Sequence, residues 1–275
     1  MTGPTTTAPA VPGAPHDDTR PHVGHAVASE WTKLTSVRST MWTLGALVVI
    51  VVGIGLLFVS QTADQDYVAM PFTTPALFGL LVGQLAVIVL GVLTITSEHG
   101  TGLVRTTFTA APDRHRVLTA KYLVFSATAL AATVGSVFVV AAAAMAVHSG
   151  PGAGPHTFGE WSGALVGCVY VTLLGVLALA VGALVRHSAG AITLMLGLVT
   201  LPPVIGGMLS YWEASARIGE IVLQYNVPVA MMQLFGMPTG EDTKVPGDLP
   251  QMLLLLAVTG AAVAASYVIV DRRDV

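Results

Sequence analysis

Five side chains able to ligate a metal, His16, Asp17, Asp18, His22 and His25, crowd into the stretch HDDTRPHVGH near the start of the chain. A metal site needs its ligands held in fixed geometry. Residues 1–25 are rich in Pro, Thr and Ala and show no periodic apolar face, so a disordered tail is expected there and no metal site. Cys168 stands alone inside an apolar run, which excludes an intrachain disulfide and fits a small core residue. The chain has no HExxH, no Gly-x-Ser-x-Gly and no Gly-rich loop ending in Gly-Lys-Ser/Thr. It is therefore expected to be no enzyme by itself and to bind no cofactor directly.

A second concentration of polarity lies between two apolar runs. Ser97–Lys121 reads SEHGTGLVRTTFTAAPDRHRVLTAK and carries four of the twelve Lys and Arg residues of a chain that is only 10% charged. Leu103, Val104 and Phe108 form a small apolar face beside Thr101, Arg105, Thr106 and Thr107, and Asp113 is placed to cap the helix that follows Pro112. Glu98 sits at the end of an apolar helix, where a carboxylate meets the unfavourable end of the dipole. A passive connector needs basic residues alone. An amphipathic segment bounded by glycines points instead to docking on another protein.

The elements that hold this segment are apolar. The chain is 53% hydrophobic with a mean hydropathy of +0.75, too little polar material to cover a soluble domain. Roughly 20 apolar residues in a helix cross a bilayer. Six stretches free of Asp, Glu, Lys and Arg qualify: Met41–Ser60, Ala76–Ser97, Tyr122–Val147, Trp161–Val185, Ala189–Leu209 and Leu249–Val270. An all-α, polytopic membrane protein with six transmembrane helices is expected, a single domain over 26–275. Gly163 and Gly167, and Ala127, Ala131 and Gly135, give small-residue spacings for close helix contact, expected within the chain. Pro202 and Pro203 should kink or end the fifth span.

Orientation follows from the basic residues near span ends. Arg20, Lys33, Arg38, Arg105, Arg114, Arg116, Lys121, Arg186, Arg272 and Arg273 fall on one side, and only Arg217 and Lys244 on the other. Both termini are thus expected in the cytoplasm. The first apolar run, twenty residues long, lacks a small-residue cleavage site, so no cleaved signal is expected. Before that span, Val27, Trp31 and Leu34 recur at helical spacing, with Glu30 and Lys33 on a polar face and Arg38 following. This predicts an N-terminal interfacial helix; a plain extension of the first span fits the periodicity equally. Residues 210–248 are too apolar for a solvated loop and too charged to span, so interfacial or re-entrant helices are expected there, with Met231, Met232 and Met237 as packing. The net charge of −3 gives no reason to expect nucleic acid as a partner.

The stretch SEHGTGLVRTTFTAAPDRHRVLTAK resembles the region after the second span in bacterial ATP-binding-cassette permeases of the type-2 export class, and ASEWTKLTSVRSTMWTL resembles their opening connecting helix. The resemblance implies a coupling segment that docks on a separate ATPase subunit, a role falling here on Glu98, Gly100, Thr101, Arg105, Thr106, Thr107 and Phe108. It likewise implies an interfacial helix carrying Trp31, Lys33, Leu34 and Arg38. Two ATPase copies using ATP and Mg, a second permease subunit (identical or not), surrounding membrane lipid and a bacterial plasma membrane are the implied context. The cargo of such an exporter would be amphiphilic or apolar: a drug, an antibiotic or a lipid. A carrier or channel working without ATP, and a membrane scaffold or sensor, are the alternatives.

Overall fold

Uninterrupted apolar runs leave the backbone no partner but itself, and helices are the result. The computed structural model describes residues 23–63, 71–101, 114–148, 158–237 and 248–272. Among them every regular element is an α-helix: α1 (Val23–Ser36), α2 (Arg38–Gln61), α3 (Thr74–Thr101), α4 (Arg114–Val147), α5 (Phe158–Val185), α6 (Ser188–Ser210), α7 (Ala216–Gln224), α8 (Val227–Leu234) and α9 (Asp248–Arg272). Helices α2, α3, α4, α5, α6 and α9 are long and apolar enough to cross a membrane. They coincide with the six predicted spans to within a few residues, except that α4 begins two turns before Tyr122. This is an all-α, multi-pass membrane protein.

Helices α3 and α5 form the centre, and the other four spans cover them. Glycines set the spacing. Gly91 of α3 lies against the backbone carbonyl of Gly175 in α5, and a Cβ at Gly175 would come within 2.7 Å of both Phe125 of α4 and Val87 of α3. Gly79 and Gly83 of α3 give the same close approach to Val51 of α2. Several hydroxyls inside the spans bond locally: Thr94 donates to the Leu90 carbonyl at 2.7 Å, Thr96 to Val92 at 2.9 Å and Thr172 to Cys168 at 2.8 Å.

Contacts between helix ends sort into two groups, as alternating up-and-down spans require. At one end Thr119 meets Tyr267 at 2.8 Å and Tyr122 meets Ser266 at 2.9 Å, joining the start of α4 to the end of α9. At the other, His148 after α4 meets Thr62 after α2 at 3.2 Å, and the Phe72 amide donates to Glu160 at the start of α5 at 3.3 Å. The first group lies at the end where most Lys and Arg residues were assigned. It is called the basic end below.

Three expectations are refined. Helix α6 does not end at Pro202 and Pro203 but runs on to Ser210; Thr200 bonds the Leu196 carbonyl at 2.7 Å just before them. Gly163 and Gly167 pack within the chain, against the Leu234 carbonyl and the Phe235 ring. Ala127, Ala131 and Gly135, by contrast, lie on an exposed face of α4; a Cβ at Gly135 would meet no described neighbour within 4 Å.

The segment after α6 folds back on it. Leu223 of α7 lies against Gly206, and a Cβ at Gly219 would come within 2.6 Å of the Ser210 nitrogen. Asn226 caps α8 by accepting from the Val229 amide at 2.9 Å, with Pro228 in the first turn. Phe235 then reaches Gly167, nine residues into α5, roughly 13 Å along that helix. Helix α8 thus packs against the bundle, with Met231 fully buried. Gly236, at φ +71°, turns the chain out again.

Candidate coupling site at the basic end

The docking segment read from the sequence is described only at its edges. Helix α3 continues one turn beyond Ser97, so Glu98, Gly100 and Thr101 belong to its last turn. The side chains of Glu98 and Thr101 lie outside the described residues, as do Arg105, Thr106, Thr107 and Phe108 entirely; so does the proposed cap Asp113. What is described is the frame from which this segment emerges: the ends of α3 and α4, and α1 packed beside them.

Helix α1 is separate from the first span. Val37 breaks the helix with extended backbone (φ −81°, ψ 114°), and α1 packs chiefly along α4 rather than along α2. This decides against a plain extension. The face turned toward the bundle also differs from the apolar stripe of Val27, Trp31 and Leu34. Leu34 is buried, at 7% exposure, whereas Trp31 is 53% exposed. Glu30, expected on the polar face, is buried at 5%. Val27, Glu30 and Leu34, at i, i+3 and i+7, make the inward stripe.

The physical reason lies in α4. Lys121 is only 4% exposed, and its ammonium sits 2.7 Å from Glu30 Oε2 and 3.4 Å from the Thr94 carbonyl of α3. The second Glu30 oxygen takes Lys33 Nζ at 2.7 Å, confirming the predicted i,i+3 pair. One carboxylate thus serves two ammonium groups, each on its own oxygen. An ammonium removed from water is tolerated only with a partner charge and hydrogen bonds. Burial of Lys121 therefore draws Glu30 inward and leaves Trp31 at the margin, where an amphipathic ring suits a membrane interface. Arg38, at the start of α2, remains exposed.

Beside this pair, the His115 ring stacks on Tyr267 with centroids 5.5 Å apart, next to the Thr119–Tyr267 and Tyr122–Ser266 contacts. The basic end is thus tied across α1, α3, α4 and α9 by polar contacts. Sequence reading placed Lys121 merely as a basic entry to the third span. Its position two turns inside α4 was the available signal, since a lysine that far into a buried helix requires an anion.

Two further polar groups escaped the sequence reading. Gln84, 2% exposed in the middle of α3, donates to the Leu81 carbonyl at 2.9 Å, while its Oε1 meets no donor among the described residues. Gln251 at the start of α9 donates to the Gln224 carbonyl at 3.1 Å and to Gln233 Oε1 at 2.9 Å, fastening α7 and α8 to α9. Among the described residues no group of side chains is suited to a metal. In comparison with known proteins, no family model matches the chain and no curated protein matches it.

Proposed function

We propose that this chain is the membrane-spanning permease subunit of an ATP-driven exporter of the ATP-binding-cassette type. The observation that carries the reading is the connector itself: SEHGTGLVRTTF, amphipathic and glycine-bounded, stands in the sequence between α3 and α4, at the junction where the basic residues gather. Basic residues favour the cytoplasmic side, where ATP is found. The bundle's interior spans carry almost no charge, which suits an amphiphilic or apolar cargo better than an ion. The chain's own sequence offers no phosphate-binding loop, so nucleotide and Mg belong to separate ATPase subunits, one for each of two paired permeases. Closure of the ATPase pair on nucleotide would favour one arrangement of the spans over another, the differential stability that drives export. Phe108 would be the apolar plug of the docking surface, with Glu98, Gly100, Thr101, Arg105, Thr106 and Thr107 around it.

Capture of the tagged chain from its native membranes tests this. The wild-type chain is expected to bring down an ATPase subunit, and Phe108→Asp to lose it while inserting normally, because an unpaired carboxylate buried in a docking surface is costly. A wild-type chain that carries no nucleotide-hydrolysing partner, or a Phe108→Asp chain that keeps it, contradicts the assignment.

A further inference from the structure

We propose that Glu30 and Lys121 form a latch that makes α1 move with α3 and α4, with Val37 as the hinge that frees it from α2. Helix α1 is covalently continuous with α2, yet the described contacts bind it elsewhere. Its backbone is interrupted at Val37, where ψ is extended. Its buried carboxylate is held by an ammonium from α4, and the same ammonium reaches the Thr94 carbonyl of α3 at 3.4 Å. One lysine therefore joins three helices, two turns inside α4 from its start. Both charges are removed from water, so opening the contact separates a buried ion pair that crosses from α1 to α4. A displacement of the connector then carries α1 along, and the bend is taken up at Val37. Glu30 and Lys121 are positioning residues in this scheme. Neither touches cargo or nucleotide. The mechanical part stands without a partner; the consequence for transport rests on the permease reading above.

The test uses the full chain in membranes. Leu34→Cys on a Cys168→Ala background places a thiol on the buried side of α1. It is expected to be protected from a water-soluble maleimide. Glu30→Gln or Lys121→Met should speed its labelling at least about tenfold, because each removes the ion pair that crosses from α1 to α4. The exchange Glu30→Lys with Lys121→Glu should restore protection, and Lys121→Arg should retain it. Unchanged labelling in both single variants overturns the latch, as does an exchange variant that inserts normally yet stays open. ATP-driven export by the same proteins provides the second readout. Export that falls in the single variants and returns with the exchange supports the mechanical role, whereas export that persists while α1 is unlatched overturns it. Absence of ATP-driven export from the wild-type chain contradicts the permease reading and leaves the labelling result to judge the latch.

Discussion

Gln84 and Cys168 show how differently single polar atoms behave inside this bundle. Replacing an acceptor that lacks a donor by an apolar group of similar size leaves stability unchanged or raises it. Gln84→Met is therefore expected to unfold in detergent at the wild-type temperature or above. A loss of more than about 1 kcal/mol would mean that Oε1 has a donor. Cys168 is fully buried in α5. Cys168→Ala should cost about 1 kcal/mol of stability through the small void it leaves; under the permease reading proposed above, export is otherwise retained. Export lost at normal expression would reveal a functional thiol. At this scale the sequence was partly legible. The i,i+3 pairing of Glu30 with Lys33 follows from spacing alone, but the burial of Glu30 depends on Lys121, ninety-one positions away, which no local pattern contains.

The helices themselves were the most legible feature, because their lengths are set by uninterrupted apolar runs and not by tertiary contacts. The limits of α5 and α6 differ from the predicted spans by three residues or fewer. The face of α1 was less legible, since periodicity groups Trp31 with Leu34 while charge pairing rotates the helix toward Glu30. Burial of α8 was also hidden. Its pocket is made by Gly163 and Gly167, whose spacing marks a close contact without naming its occupant. The packing of α3 against α5 gives an element-scale prediction. At Gly91 a Cβ would collide with the Gly175 carbonyl, whereas at Gly53 and Gly260 it would meet nothing within 4 Å. Gly91→Ala should lower stability by about 1–3 kcal/mol, as overpacking does. Gly53→Ala and Gly260→Ala should be neutral or stabilise by roughly 0.5–1 kcal/mol through higher helix propensity. Equal effects at the three positions would be inconsistent with the glycine-spaced centre.

Apart from Phe138 within α4, the exposed aromatic residues among those described collect near the two ends of the bundle. Trp31 and Trp42 lie toward the basic end, and Phe158, Tyr211 and Trp212 toward the other, as residues at membrane interfaces do. Between them the outer faces of α6 and α9 expose leucine and valine, which hydrocarbon accommodates without cost. Which end faces the cytoplasm decides whether the connector can meet an ATPase at all. Single cysteines introduced on the Cys168→Ala background settle this: Ala110→Cys in the connector, and Gln65→Cys and Pro155→Cys in the two connectors that hold no Lys or Arg. With an impermeant maleimide applied to intact cells, positions 65 and 155 should label while position 110 stays protected until the membrane is opened. Labelling of position 110 from outside, with 65 and 155 protected, would invert the bundle and contradict the account of the connector as an ATPase-docking site.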